Sequence, residues 1–233
     1  MKGDELASAA LYVVWNAQTH SERHDFYVGQ TKKRVLANFA DIDGDADNFM
    51  NAEYNRLGEK LDHHPPDVAE CVNERGQDFW ALLHDLRKQT LLGALAGCFH
   101  RWDKELSNFL ERELSHNFEP KDVHQAAWSP NVKDRFGVLT EFGWDCRAAK
   151  FFAGLEACRL IVNVYKHGKG ASLDQLAASF PEYLPTLLAP RRHWAFNGTP
   201  DHEWLEISEA QFDDLAKAIR SFWEAFPERL FLK

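Results

Sequence analysis

Arg159, Asn163 and His167 recur every four residues in the stretch Phe151 to Gly170, FFAGLEACRLIVNVYKHGKG. Steps of four keep side chains on one face of a helix. An arginine, an asparagine and a histidine held together in this way have the chemistry to hold and cut a phosphodiester. RNA is cleaved without a metal when a base takes the proton from a 2′-hydroxyl, which then attacks the adjacent phosphate. Histidine suits that step because its pKa lies near neutrality. Arginine stays charged and grips two phosphate oxygens at once, and asparagine orients either group. Lys166 adds positive charge beside them, and the Gly-Lys-Gly at 168 to 170 places His167 at a rim.

A plainer account covers the same residues. Cationic side chains favour the last turn of a helix and glycine the position after it, so Lys166-His167-Gly168 is also an ordinary helix stop. Glu156 stands three residues before Arg159, the spacing of a helical ion pair. Yet arginine and asparagine on a helix otherwise rich in apolar residues are costly to bury without a job or a partner.

These residues need a scaffold. The chain has 233 residues, 45% of them hydrophobic and 13% aromatic, with eight Trp and seventeen Phe, enough for a sizeable core. From Gln77 to Leu114, Phe79, Leu82, Leu83, Leu86, Leu91, Leu95, Phe99, Trp102, Leu106, Phe109 and Leu110 recur at steps mostly of three and four, predicting a long amphipathic helix. Gly93 and Gly97 bend it or admit a close neighbour. His116 to Trp128 reads as a loop. Ser129-Pro130 predicts the start of a helix that stops at Gly143. Asp145 predicts the cap of the helix that carries Arg159, with Phe152, Leu155, Leu160, Ile161 and Val164 on its apolar side. Ser172 to Gln175 and Ser208 to Gln211 have the pattern of capping boxes. Residues 184 to 207 read as irregular, with a short hairpin near Asn197-Gly198. A last helix carries Phe212, Leu215, Ile219, Phe222 and Trp223.

The predicted architecture is therefore all-α: an up-and-down helical bundle with two long antiparallel helices, small extra helices and a less regular N-terminal segment. The Asp62-His-His-Pro-Pro66 break divides it into residues 1–75, of unknown role, and a bundle over 76–233.

RLIVNVYKHG within a long helix resembles the HEPN superfamily (higher eukaryotes and prokaryotes nucleotide-binding domains). The resemblance implies an all-helical, usually dimeric fold and, in many members, metal-independent ribonuclease activity in toxin–antitoxin, phage-defence or CRISPR systems. It implies Arg159 on the scissile phosphate, His167 as acid or base and Asn163 as the orienting polar group, with no cofactor. The partners it implies are RNA, a second copy of the chain, and an antitoxin or defence-system protein. The superfamily pattern has four to six residues between arginine and histidine, with a polar residue after the arginine. Here seven residues intervene and Leu160 follows Arg159. Many relatives are non-catalytic, so a helical protein- or nucleotide-binding module is the alternative.

Other signals are weaker. His100 and Arg101 lie on the first long helix, where antiparallel packing would bring them to the same groove as substrate-binding groups beside Lys166. Phe26-Tyr-Val-Gly-Gln-Thr31, with Arg34, resembles the second motif of GIY-YIG nucleases, for which Leu11 to Val14 would be the first strand. Asp41, Asp43, Asp45 and Asp47 alternate as in a calcium loop, but the positions for its glycine and closing glutamate hold Ala46 and Ala52, or Asn48 and Tyr54, so a solvated loop is expected. His63-His64 with Asp62 and Asp67 lacks a third histidine nearby, and no metal site is expected. A net charge of −9 excludes nucleic-acid binding by broad electrostatics. Lys32-Lys33-Arg34 and Arg191-Arg192-His193-Trp194 read as solvated faces. Cys71, Cys98, Cys146 and Cys158 show no CxxC spacing and read as free thiols of a reducing compartment. The longest nearly apolar run, Leu91 to Phe99, falls short of the roughly 18 residues of a membrane span. No signal core is evident, so a cytoplasmic location without a membrane is expected.

Overall fold

A computed structural model describes residues 10–12, 16–58, 65–185 and 199–232. The described chain is all-helical but for two short strands, β1 (Ala10–Tyr12) and β2 (Arg229–Phe231), which pair antiparallel with Leu11 opposite Leu230. The helices are α1 (Asn16–Arg34), α2 (Ile42–Gly58), α3 (Pro65–Leu114), α4 (Pro120–Ala127), α5 (Val132–Glu141), α6 (Phe152–His167), α7 (Ala171–Ser179) and α8 (Glu209–Glu224). No described helix is long and apolar enough to cross a membrane. The chain forms two compact units, Gly29–Gly93 and the remainder, Met1–Val28 with Ala94–Lys233.

Several elements differ from the sequence reading. The N-terminal segment is regular: α1, α2 and the first turns of α3 fill most of it, and α3 runs unbroken through residue 75. Pro65 and Pro66 open α3, where a missing N–H costs nothing. The acidic stretch is a helix start rather than a loop. Asp41 Oδ1 accepts from Gly44 N at 3.1 Å, and Asp43 and Asp45 occupy the first turn of α2, where carboxylates are favourable. Phe26 to Thr31 lies within α1, so the strand of a GIY-YIG motif does not form there. Residues 120–127, read as loop, are helical because Pro120 starts the turn and Val123 and Ala127 bury together. Asn131, not Ser129, caps α5 through Lys133 N at 3.2 Å. Asp145 caps only the 3-10 turn Cys146–Ala148, and α6 begins at Phe152. The second capping box holds: Ser208 and Gln211 satisfy each other at the head of α8. The 191–194 stretch, His63-His64 and the Asn197-Gly198 hairpin lie outside the described residues.

In the smaller unit, Phe49 of α2 stacks on Phe79 of α3 with ring centroids 4.3 Å apart, and Trp80 Nε1 donates to Asp43 Oδ1 at 2.7 Å. Glu53 pairs with both Arg56 and Arg75. A Cβ at Gly76 would strike the Met50 side chain, so that glycine sets how closely α2 approaches.

In the larger unit, Trp102, Leu106, Phe109 and Leu110 of α3, Leu155, Cys158 and Ile161 of α6, and Phe212, Leu215, Ile219 and Phe222 of α8 are fully buried. Cys158 Sγ meets Leu215 O at 3.7 Å, and a Cβ on Gly154 would press on Ala218; this register sets α6 and α8 antiparallel. Cys98, Cys146 and Cys158 are buried free thiols, and Cys71 is an exposed one. Burial pushes the Cys98 and Cys146 thiols up to about 12, so neither is a nucleophile at neutral pH.

The first turns of α1 are fastened by histidines. His20 stacks on Trp223 at 4.3 Å and its Nδ1 lies 2.9 Å from Glu105 Oε2. His24, 6% exposed, donates from Nε2 to Ala216 O at 2.8 Å. Burial holds its pKa below the usual 6.5, with Asp25 and Glu105 opposing and Arg101 assisting. His24 thus takes a proton less readily when folded than when unfolded. Its contribution to stability is complete above the unfolded value and is lost as pH falls from about 6.5 toward the depressed folded pKa. Unfolding free energy measured in urea between pH 7.5 and 5 is expected to decline with acid, and His24→Gln to flatten that decline. An unchanged slope in the variant would assign the pH response to other groups.

Candidate functional site

α6 is buried nearly all round. Leu155, Ala157, Cys158, Leu160, Ile161, Val162 and Val164 all lie inside. Such a helix tolerates polar side chains only where a neighbour satisfies them, and α7 supplies that neighbour. Arg159 donates from Nε and Nη2 to the two carboxylate oxygens of Glu156, at 2.8 and 2.6 Å, and reaches Gln175 Oε1 at 3.4 Å. Its side chain is 12% exposed. Lys133 Nζ lies 3.5 Å from the same glutamate. The two cations hold the Glu156 carboxyl below its usual range despite its burial. Asn163 Nδ2 makes a long contact, 3.5 Å, with Ser172 Oγ. Ser172 and Gln175 are the residues whose spacing predicted a capping box. They face α6 instead, and Gly170, in an extended conformation open only to glycine, begins α7 without a side-chain cap.

The lower end of the same stripe is open. Lys166 and His167 are exposed in the last turn of α6. His100, on α3, is exposed and close enough to Lys166 for its charge to be felt: burial and then Lys166 push the His100 pKa down, with Asp103 opposing. Arg101 is engaged elsewhere, donating to Glu105 Oε1 at 3.1 Å with its guanidinium 5.9 Å from the Tyr27 ring centroid. The predicted residues therefore divide. Arg159, Asn163 and Arg101 are held by partners within the chain. Lys166, His167 and His100 meet solvent at one end of α6. Among the described residues, no cluster of three His, Cys, Asp or Glu could hold a metal ion.

Sequence reasoning missed a further set. The chain returns to this end of α6 at the 3-10 turn His202–Trp204. The His202 ring lies over Gly168, its Cδ2 3.4 Å from where a Cβ on that glycine would stand. Asp201 bridges, with Oδ1 3.0 Å from His202 Nδ1 and Oδ2 3.0 Å from Lys169 Nζ. The His202 contact lacks hydrogen-bond alignment, and Nδ1 has no hydrogen-bond partner among the described residues. Nothing in the local pattern of residues 199–207 announces this return; only tertiary packing brings it about.

Gly168 has φ +70° and ψ −128°, a region unfavourable to residues with a Cβ. His202 leaves a Cβ ordinary contact distance, so strain is the whole penalty. Gly168→Ala is expected to lower the unfolding free energy by about 1–3 kcal/mol, read from urea midpoints. Wild-type stability in the variant would mean that the helix end relaxes into another conformation.

These features define an all-helical protein whose buried helix α6 ends in exposed lysine and histidine side chains. Comparison with family models, with curated proteins and with solved structures found no match.

Proposed function

We propose that this chain is a HEPN-like helical module that binds a nucleotide or RNA through the C-terminal end of α6 without cutting it. The observation that carries this reading is the grip of Glu156 on Arg159. The guanidinium that would hold a scissile phosphate gives its Nε–Nη2 edge to a carboxylate of its own helix, while Lys166 and His167, further along that helix, are exposed. The RLIVNVYKHG stretch and the all-helical fold support the superfamily assignment, and the up-and-down arrangement with paired long helices belongs to it.

A second reading, a metal-independent ribonuclease of a defence or toxin–antitoxin system, has one observation in its favour. His100 is biased toward its neutral, proton-accepting form by burial and by Lys166, and it stands at the same end as exposed His167. In that reading a dimer would join two such ends, and Glu156 would have to release Arg159. A labelled RNA pool in EDTA separates the two. Wild type, His167→Ala and Arg159→Ala are all expected to leave the RNA intact, with wild type retarding it on a native gel. Cleavage leaving cyclic-phosphate ends, lost in both variants, would replace the binding reading with the ribonuclease.

A further inference from the structure

We infer that the cavity where α3 ends against α4 and α5 is a binding site for a small apolar amine, its ring or short chain inside and its ammonium group at the mouth beside Asp122 and Glu141. No residue of α6 lines this cavity, so the inference stands apart from the reading above.

The cavity has a volume of about 170 Å³. Leu114, the last residue of α3, Phe118, Val123 of α4, Val138 of α5, Phe142 and Leu232 form its apolar wall. Phe118 meets Phe142 edge-on with ring centroids 6.3 Å apart. Phe142 O accepts from Phe231 N at 3.1 Å, which brings the chain after β2 against the end of α5. Leu114, Val123 and Phe142 are buried, yet the side chains around them do not close over the space. Apolar groups facing an unfilled space lack the dispersion contacts that a guest restores. An apolar cavity of about 150 Å³ holds one benzene ring, so this one takes a single ring or a short alkyl chain.

The mouth carries charge of one sign. Asp122 and Glu141 line the cavity and are exposed, and no lysine, arginine or histidine is among its described lining residues. Asp122 stands in the first turn of α4, where the helix itself favours a carboxylate. Glu141 has no such explanation. It is the last residue of α5, the end at which a helix disfavours a carboxylate, and no basic residue occupies that last turn. The nearby cations are committed elsewhere. His124 leans to Glu111 at 3.6 Å, and Arg147, which reaches Thr140 Oγ1 at 3.0 Å, gives its Nε to Asp145 at 2.7 Å. Neither mouth carboxylate has an ion pair among the described residues. A cation placed there meets both carboxylates and the negative end of α5 together. An anion of the same shape meets repulsion, and a neutral analogue gains only from the wall. An apolar body with an ammonium group is the ligand that satisfies both parts of the site.

The test is a titration of the intact protein followed by its methyl resonances, with three probes of similar shape: benzylamine, benzyl alcohol and phenylacetate. Benzylamine is expected to shift the methyls of Val123, Val138 and Leu232 along one binding curve, about tenfold tighter than benzyl alcohol, with phenylacetate weakest. Glu141→Gln is expected to weaken benzylamine by about threefold. Asp122→Asn together with Glu141→Gln should bring the amine to the level of the alcohol, with alcohol binding unchanged. Val138→Phe, which puts a ring into the space, is expected to weaken both amine and alcohol. The carboxylate variants leave the wall intact, so the comparison stands even where Val138→Phe disturbs the fold. Equal binding of amine and alcohol by the wild type, an amine preference that survives the double variant, or no shift of these methyls with benzylamine would each overturn the inference.

Discussion

Trp102→Ala is expected to remove about 3–5 kcal/mol of stability, and Trp102→Phe less than half of that. Trp102 is 1% exposed and packs among Phe99, Phe136 and Phe222, with ring centroids 5.3, 6.1 and 5.1 Å away; the contact with Phe222 is edge-on at 88°. It is the point where α3, α5 and α8 meet. Truncation to alanine leaves a cavity among rings that other elements hold in place, so the site collapses poorly and the penalty sits high in the range for aromatic deletions. The phenylalanine variant loses less because two contributions oppose each other. The indole Nε1 is buried with no acceptor among the described residues. Leaving a buried donor unpaired costs about 1–3 kcal/mol, so removing the N–H returns part of what the lost ring volume takes away. Domains of ordinary stability hold about 5–15 kcal/mol, so the alanine variant gives up a large share of the whole. Urea unfolding of both variants beside wild type decides the point. Equal penalties for alanine and phenylalanine would show that the indole N–H has a partner, a bound water being the first to look for.

The long apolar stripe was legible because its period is that of a helix: Leu91, Leu95, Phe99, Trp102, Leu106, Phe109 and Leu110 are all buried. Gly97 was legible as a point of close approach, and the Tyr27 hydroxyl occupies the place of its missing side chain. The Ser208–Gln211 box was legible because a reciprocal cap is settled within four residues. What failed were signals that tertiary contacts can redirect. Ser172 and Gln175 carry the same box pattern, but the polar atoms of Arg159 and Asn163 on a buried helix compete for them. Ser129 was expected to cap a helix, yet its carbonyl is taken by Arg135 and its hydroxyl by Asp134.

At the candidate site the same division holds. Spacing placed Arg159, Asn163 and His167 on one stripe, and the structure keeps them there along α6. Spacing does not say what roofs the stripe. α7 covers its upper part and satisfies the polar groups, so only the lower end retains cations facing water. The Arg159–Glu156 pair was visible as an i, i+3 spacing. Its weight was not, because an exposed pair of this kind is worth a few tenths of a kcal/mol, whereas this arginine is 12% exposed and bound through two nitrogens. Asp201 and His202 were out of reach of any local pattern, since their neighbours in space are fixed by the path of the chain between α7 and α8.

Asp103→Ala is expected to cost about 3 kcal/mol, and Arg135→Met about 1 kcal/mol or less. Arg135 sits on α5 with its side chain 3% exposed; Nη2 pairs with Asp103 Oδ1 on α3 and Nη1 donates to Ser129 O at 2.6 Å. Removing the aspartate leaves a guanidinium out of water with one carbonyl for company, and Nε has no acceptor among the described residues even in the wild type. Removing the arginine strands no charge of comparable burial, because Asp103 is 28% exposed and can turn to solvent, while a methionine fills the space. The double variant should therefore match Arg135→Met and recover most of the loss caused by Asp103→Ala, a coupling that a thermodynamic cycle measures directly. An Arg135→Met penalty as large as that of Asp103→Ala would mean that the guanidinium holds α5 mainly through Ser129. The cycle also bears on the candidate site. Asp103 is the carboxylate that opposes the depression of the His100 pKa. Asp103→Ala should lower that pKa further, whereas Arg135→Met leaves the carboxylate in place and should not. Comparing the two variants by the His100 resonance separates the electrostatics around His100 from the stability of the fold.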